Sequence, residues 1–252
     1  LMLTQQSSVA WLTGGAESHI VLASVDSAGP LMITQDSVYL LCPNIEAPRM
    51  LEEELSGLDV IDCRYPWYEE GQGETANLKS IIDDRRWTKD TDPQIAAYLT
   101  ECFSSLSEAE QERYRWVGRQ AEEAIREACQ EVRKGMTEFD IAGVLSAKAH
   151  EREIWPVLIL VAADDRLRQH RHPIPTSNSV ENSVMLVLCA RRWGLIANLT
   201  RIVHIGSVPE DLRKRHKAVC AVDATLIHET RPGASYGELF AKCQTAYVDQ
   251  GY

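Results

Sequence analysis

A histidine on a proline-containing loop is the residue in this chain best suited to acid–base chemistry. Pro173 directly follows His172, and Pro175 comes two positions later. Proline fixes the backbone angle φ and removes an amide donor, so the spacing predicts a rigid, non-helical turn that can aim the imidazole. An imidazole exchanges protons near neutral pH. We therefore take His172 as the candidate catalytic residue, with orientation of a substrate as its alternative role.

The polar residues that could assist His172 follow a predicted β-hairpin. A nearly continuous apolar run at 184–190 and a second run at 193–199, separated by an Arg-Arg pair, predict two adjacent strands. Asn198, Thr200 and Arg201 lie near one end of this hairpin and are the candidate substrate-binding or supporting residues. The neutral amide of an asparagine can orient a substrate but cannot serve as a base.

These segments resemble the pita-bread family of hydrolases, which includes Xaa-Pro aminopeptidase, prolidase, methionine aminopeptidase and creatinase. Its peptidases have a strand reading Asp-x-Gly, a turn and then Gly-Tyr-x-x-Asp-x-Thr-Arg, and both aspartates bind a pair of divalent metal ions. With Thr200 and Arg201 as the anchor, Gly194 matches the family glycine. Asn198 then falls at the second aspartate position and Val187 at the first.

Neither residue at the aspartate positions can replace the missing ligand. Valine offers no lone pair, and asparagine offers only a neutral carbonyl oxygen. No Asp or Glu occurs anywhere in 183–207, so another alignment register cannot restore a carboxylate. We therefore expect no dinuclear metal site and no cofactor. The resemblance then favours creatinase and its relatives, which work without metal and use a histidine that His172 resembles, although their pattern has a glutamate where this chain has Asn198.

The resemblance implies three possible functions. The favoured one is a metal-independent hydrolase of a carbon–nitrogen bond, similar to creatinase and to Xaa-Pro peptidases. The second is a metal-dependent Xaa-Pro aminopeptidase or dipeptidase, which Val187 and Asn198 disfavour. The third is a non-catalytic pita-bread module that binds a peptide or protein. Retention of His172 and of the Thr200-Arg201 pair favours an enzyme over a binding module.

Composition indicates an ordinary globular chain with an acidic surface. The 252 residues are 44% hydrophobic and 25% charged, with a formal net charge of −11. This balance argues against nucleic acid or an anionic membrane as a partner, and the apolar run at 155–163 is too short to span a bilayer. The 7 cysteines are scattered without a Cys-x-x-Cys pair, which is typical of reduced thiols. We expect a cytoplasmic protein that acts on a small molecule or short peptide.

The pattern along the chain predicts two domains of mixed α/β structure. Residues 1–106 form a creatinase-like α/β domain, and 107–252 form a pita-bread domain that is incomplete at its carboxyl end. Turn residues separate short apolar runs that predict strands in the first domain, at 9–12, 20–25, 31–34, 38–41 and 60–63. Helices are predicted at 47–55 and 94–102, and the Gly- and Glu-rich segment 68–79 is predicted to be an exposed loop. In the second domain, a Ser-x-x-Glu capping box opens a helix over 107–133, and a helix at 137–149 and strands at 157–163, 184–190 and 195–203 follow.

A repeated helix–glycine–helix pattern bears on how much of the site is present. The segment 132–139 recurs at 230–237, and each copy follows a long predicted helix. We expect the second copy to lack its strands, so that the chain is a fragment at its carboxyl end. We expect it to be a fragment at its amino end as well. The resemblance places a further histidine and two glutamates of the site beyond Tyr252, and we expect a homodimer when the protein is full length.

Overall fold

The computed structural model describes residues 1–69, 71–83 and 86–252. Within these residues the chain forms one four-stranded and one three-stranded β-sheet. The first sheet has the order β1-β2-β3-β4, with antiparallel β1–β2 and β2–β3 pairs and a parallel β3–β4 pair. Its strands are β1 (Met2–Gln5), β2 (Asp26–Ile33), β3 (Val38–Leu40) and β4 (Val60–Asp62).

Among the described residues, four α-helices accompany the first sheet. They are α1 (Gln6–Thr13), α2 (Ala47–Arg49, continued by a π-helical turn over Met50–Glu54), α3 (Gln72–Ile82) and α4 (Pro93–Phe103). The strands predicted at 31–34, 38–41 and 60–63 and the helices predicted at 47–55 and 94–102 are confirmed. The strand prediction at 9–12 is wrong because this run lies in α1, and 20–25 forms no strand either. Apolar runs of four to six residues do not distinguish a strand from a buried helix face.

The prediction of a loop at 68–79 is wrong over most of that segment. Glu70 lies outside the described residues, and α3 begins at Gln72. Three apolar side chains at the end of α3, Leu78, Ile81 and Ile82, are buried against β1 and β2. Their spacing of three and four residues places them on one helical face, and this packing stabilises a segment whose Gly- and Glu-rich start is typical of a loop.

The second sheet and its helices begin after Ser107. These elements are α5 (Glu108–Glu131), α6 (Glu138–His150), β5 (Trp155–Ala163), α7 (Arg166–Gln169), β6 (Ser183–Arg192), β7 (Leu195–His204), α8 (Glu210–Glu229) and α9 (Tyr236–Asp249). The predicted long helices and all three predicted strands are confirmed. The capping box at Ser107 is also confirmed, since its side chain accepts from the amide of Glu110 while the Glu110 carboxylate accepts from the Ser107 amide. The mixed α/β fold class is therefore as the sequence predicts.

One face of the second sheet packs against α5 and α6. Alternate residues of β6 (Val184, Leu186, Leu188 and Ala190) are fully buried there, together with Ile125 of α5 and Ile141 and Leu145 of α6. The strands are antiparallel in the order β5-β6-β7. Because successive side chains of a strand point to opposite faces, the remaining residues of β6 lie on the opposite side of the sheet.

The turn between β6 and β7 packs closely against the amino-terminal part of the chain. Trp193 and Gly194 both have positive φ, 54° and 75°, as a two-residue type I′ hairpin turn requires. A Cβ atom at Gly194 would come within 2.6 Å of the Cβ atom of Ala10 in α1. Both the backbone angle and the space therefore require glycine at this position.

The Gly194→Ala substitution should lower the free energy of unfolding by about 2–4 kcal/mol, which combines the left-handed backbone with overpacking against α1. Gly206→Ala is the matched control, because Gly206 has a φ of 92° but no atom within 4 Å of its Cβ position. Urea unfolding should show the smaller loss for Gly206→Ala. Equal losses for the two variants would show that the contact with Ala10 contributes nothing.

Candidate active site on the uncovered sheet face

The candidate site lies on the face of the second sheet that is turned away from α5 and α6, which we call the open face. Large apolar side chains on this face are exposed to solvent: Leu158 is 41%, Ile196 41% and Ile202 44% exposed. On the helical side of the same sheet, Val184, Leu186, Leu188 and Ala190 of β6 are fully buried. The open face is therefore a broad apolar surface that carries only a few polar side chains.

The two positions that resemble metal-binding aspartates lie on this open face. In the β6–β7 register, Val187 pairs with Thr200, and Asn198 pairs with Cys189. Directly opposite residues of an antiparallel pair lie on the same face, with Cβ atoms about 5 Å apart. The structure therefore brings Val187, Cys189, Asn198 and Thr200 together as one patch.

The chemistry of this patch does not fit a pair of divalent metal ions. Its donor atoms are the Asn198 amide, the Thr200 hydroxyl and the Cys189 thiol, and none of these is a carboxylate or imidazole. Across the described ranges, no group of three or more His, Cys, Asp or Glu side chains could hold a metal ion. The ions that the family aspartates bind are held mainly by anionic oxygens and imidazoles, and these residues offer neither.

Cys189 is the one potential nucleophile in the patch. Burial raises the pKa of its thiol, which disfavours the reactive thiolate. Among the described residues, no hydrogen bond or ion pair to the Cys189 side chain would reverse that effect. Cys189 is therefore a half-buried packing residue beside Asn198.

The predicted position near one end of the hairpin is wrong, because residues 198–201 lie in the middle of β7. The structure also separates Arg201 from the other two candidate residues. Asn198 and Thr200 lie on the open face, whereas Arg201 pairs with the buried Leu186 and so lies on the helical side. Its guanidinium donates to the carbonyl oxygen of Thr200 at 2.9 Å. It also favours the thiolate of Cys129 in α5, although burial still raises the pKa of that thiol. This position suits the support of the edge strand.

His172 is exposed on the loop between α7 and β6, and Pro173 beside it is buried. No hydrogen bond joins the His172 ring to Asn198 in the part of the chain that the structure describes. The loop is nevertheless fixed at several points, since Arg166 donates to the carbonyl of Ile174 at 2.9 Å and Thr176 is held at both its amide and its hydroxyl. The rigid turn that the prolines predict is thus reinforced by tertiary contacts.

Glu138 fixes this loop from inside the protein, and sequence reasoning missed it. The carboxylate is fully buried, and its Oε1 accepts from the Ala163 amide at 2.8 Å and from Arg166 Nε at 2.9 Å. Its Oε2 accepts from the amide and hydroxyl of Thr176, both at 2.8 Å. Burial alone would raise the pKa of Glu138, but these hydrogen bonds outweigh it and lower that pKa below its ordinary value.

A second carboxylate holds the start of β6. Asp164 accepts from the amides of Glu181, Asn182 and Ser183 at 2.8–3.0 Å. Although burial opposes it, this bonding lowers the pKa of the Asp164 carboxyl. Asp164 therefore anchors the backbone amides at the start of β6 to the end of β5.

The amino-terminal part of the chain covers one end of the open face. At that end Arg191 pairs across the strands with Trp155, and Arg191 Nη1 donates to the Gln6 side chain at 2.9 Å. A cavity of about 200 Å³ lies between the two parts of the chain, and its lining includes Gln6 and Glu17 of the amino-terminal part and Arg191 and Ile196 of the hairpin. Ile196 is two residues from Asn198 on the same strand face, so this cavity adjoins the polar patch.

Comparison with solved structures identifies this arrangement as the pita-bread fold. X-Pro aminopeptidase from Thermotoga maritima MSB8 matches with a TM-score of 0.75 and 17% sequence identity, over 100% of this chain and 76% of that chain. Prolidase from Pyrococcus horikoshii OT3 matches with a TM-score of 0.73 and 17% identity, over 100% of this chain and 73% of that chain. Prolidase from Pyrococcus furiosus matches with a TM-score of 0.73 and 17% identity, over 100% of this chain and 75% of that chain. At this level of identity the matches show the fold alone.

The family follows from the sequence match. The family model of metallopeptidase family M24 matches residues 112–252, which is more than half of the chain. The chain therefore belongs to metallopeptidase family M24. Comparison with curated protein sequences gives no significant match. Within the described residues, no helix is both long and apolar enough to cross a membrane.

Proposed function

We propose that this chain is a hydrolase that cleaves a carbon–nitrogen bond in a small molecule or short peptide without a pair of divalent metal ions. The observation that carries the proposal is the placement of Val187 and Asn198 on the open face. Both family aspartate positions lie where a substrate would meet the sheet, and neither residue supplies the anionic oxygen of an aspartate. The membership of family M24 supports a hydrolase, and the residues themselves argue for a different chemistry within it.

His172 is the proposed acid–base group. Its imidazole takes a proton from the attacking water as the water oxygen bonds to the carbon, and returns that proton to the nitrogen as the carbon–nitrogen bond breaks. Asn198 and Thr200 orient the substrate by hydrogen bonds from the open face, and Arg201 supports the edge strand. The exposed apolar side chains beside them would bury the non-reacting part of the substrate.

A non-catalytic binding module is the second candidate. The open face favours it in one respect, since exposed apolar surface of this kind is typical of peptide-binding sites. A metal-dependent Xaa-Pro peptidase is the third candidate, and the solved structures compared above are an X-Pro aminopeptidase and prolidases by their names. The three functions differ in turnover and in the effect of a chelator.

The test is an activity screen of the complete purified protein with Xaa-Pro dipeptides and creatine, before and after treatment with EDTA. A metal-independent hydrolase turns over at least one substrate at the same rate in both conditions. Activity that EDTA abolishes and Mn²⁺ restores would contradict the proposal. Binding of peptides in calorimetry without any release of product would favour the binding module.

Metal content gives a separate prediction. We expect the dialysed protein to hold no stoichiometric Mn, Co, Zn or Fe, and we expect Val187→Asp combined with Asn198→Asp to bind Mn²⁺ more tightly than the wild type, because the two anionic oxygens return. Elemental analysis and calorimetry measure the two quantities. Val187→Asn with Asn198 unchanged is the control for polarity without charge. Stoichiometric metal in the wild type would count against the prediction.

We also propose the remaining features that the sequence predicts. The division at 106–107 is supported by the capping box at Ser107 and by the separation of the two sheets on either side of it. A cytoplasmic location and a homodimer in the full-length protein are part of the same proposal. Size-exclusion chromatography with light scattering tests the oligomeric state.

A further inference from the structure

A buried ionic cluster joins the amino-terminal part of the chain to the hairpin turn. The Oε1 atom of Glu17 accepts from the backbone amide of Trp193 at 2.6 Å. Its other oxygen, Oε2, lies 3.7 Å from Arg191 Nη2 and 3.3 Å from His19 Nδ1. The side chains of His19, Glu17 and Arg191 are only 10%, 14% and 12% exposed, so little water screens their charges.

His19 Nδ1 has two competing neighbours in this cluster. Arg191 Nη2 lies 3.0 Å away and can only donate, which requires an unprotonated Nδ1. The Glu17 carboxylate at 3.3 Å can only accept, which requires a protonated Nδ1. Since one nitrogen cannot satisfy both, the neutral ring with its proton on Nε2 accepts from Arg191, and a doubly protonated ring donates to Glu17 and repels Arg191.

The surroundings of His19 favour the neutral ring. Burial, followed by the charge of Arg191, lowers the pKa of His19, and Arg49 acts in the same direction. Glu17 opposes that change with an effect smaller than that of Arg191 and larger than that of Arg49, and Glu54 opposes it with the smallest effect. The ring also packs edge-on against Trp155 at a centroid distance of 5.1 Å. These surroundings therefore favour the neutral imidazole, which is the form that accepts a hydrogen bond from Arg191.

The other groups around His19 fix its position without accepting a proton from it. Arg49 donates to the carbonyl oxygens of Glu17 and His19 at 3.0 and 3.2 Å, and its Nη1 lies 3.3 Å from Glu54 Oε1. His150 packs on the same Trp155 at 5.8 Å, but its Nδ1 lies 2.8 Å from the carbonyl oxygen of Ser146. The protonation state of His19 therefore decides whether its ring bonds to Arg191 or to Glu17.

We propose that His19 is a proton-sensitive switch in the contact between the amino-terminal part of the chain and the hairpin turn that carries Arg191 and Trp193. The neutral ring holds Arg191 against the amino-terminal part. Protonation transfers the ring to Glu17, displaces Arg191 and weakens the bond from Trp193 to that carboxylate. Because Arg191 and Trp155 lie at the covered end of the open face, the switch loosens the contact that covers it.

The direction of the pH effect follows from linkage. A histidine whose pKa is lower in the folded state binds fewer protons there than in the unfolded chain. The stability that depends on the neutral ring is therefore fully present above the ordinary value of 6.5, and it is lost as the pH falls below that value through the lower pKa of the folded state.

The experiment compares wild type with His19→Gln and His150→Gln between about pH 7.5 and pH 5. Glutamine can accept from Arg191 but does not titrate in this range. His150→Gln is the matched control, since it removes the other imidazole that contacts Trp155. The unfolding equilibrium constant should rise about three- to tenfold more on acidification in wild type and His150→Gln than in His19→Gln.

Two measurements on the folded wild type keep the test independent of how well the variants fold. Nuclear magnetic resonance titration should give His19 a pKa below its ordinary value. Hydrogen exchange at the Trp193 amide, corrected for the intrinsic rate, should accelerate as His19 becomes protonated. A His19 that titrates at or above the ordinary value, or a Trp193 amide whose protection does not change through the titration, would overturn the proposal.

Discussion

Replacement of Glu138 with alanine should lower the free energy of unfolding by about 3–5 kcal/mol, the range found when one partner of a buried ion pair is removed. The substitution leaves Arg166 without its carboxylate. It also removes the acceptor from the amides of Ala163 and Thr176, which then lie in a site that had excluded water. Buried donors without partners add to the loss of the ion pair itself. Urea unfolding measures the change.

Two further variants identify the source of that loss. Glu138→Gln keeps the shape of the side chain and one acceptor oxygen, so it should be less destabilising than alanine. Glu151→Gln is the control, because Glu151 makes ion pairs with Lys148 and Arg152 while its side chain is 56% exposed, and it should change stability by less than about 1 kcal/mol. A loss of similar size for Glu138→Ala and Glu151→Gln would contradict the anchoring role of Glu138.

The pH dependence of this effect has a definite sign. Since the pKa of Glu138 is lowered in the folded state, the stability that its ionised form supplies is present above its ordinary value of 4.5 and is lost as the pH falls through the folded value. The Glu138→Gln variant should therefore lose less stability than wild type on acidification below about pH 4.5.

Local patterns of the sequence predict much of the second sheet and its helices. The capping box at Ser107 marks a helix start within a few residues, because the two reciprocal hydrogen bonds need only neighbouring side chains. The sequence predicts the hairpin at 183–204 because its strands are long and its turn contains Gly194. Short apolar runs were less informative, as 9–12 shows, since four residues fit a helix face and a strand equally well.

The polar contacts that fix the site come from residues far apart in sequence. Glu138 opens a helix like any other acidic residue, and nothing near it shows that Ala163 and Thr176 will point their amides at it. The contact of Glu17 with the Trp193 amide joins residues 176 positions apart. Such pairings depend on tertiary placement, so sequence patterns alone do not predict them.

The structure also shows which candidate site residues can act together. Strand alternation places Asn198 and Thr200 on the open face and Arg201 on the other, a separation that follows from the register of β7 and is implicit in the odd and even spacing of the three residues. The position of His172 depends instead on a loop whose path is fixed by Glu138 and Arg166. Because the register of β7 does not determine where His172 lies, its role needs a direct functional test.

Replacement of His172 with alanine or glutamine should lower kcat by about 100-fold or more if its imidazole transfers the proton, with a smaller effect on KM. The side chain is exposed, so neither variant should change the free energy of unfolding by more than about 0.5 kcal/mol. A loss of activity can then be separated from a loss of folding. The kinetic constants are measured separately, on whichever substrate the activity screen identifies.

His170→Gln is the matched control for this prediction. His170 is also exposed and lies two residues away, but it precedes the proline-fixed turn. An imidazole needs a defined position relative to the reacting bond, so only the histidine on the rigid part of the loop should affect kcat. A change confined to KM in His172→Gln would make His172 a substrate-orienting residue. Equal losses in His170→Gln and His172→Gln would show that the effect does not depend on the position of the imidazole, and the acid–base role would then have to belong to another residue.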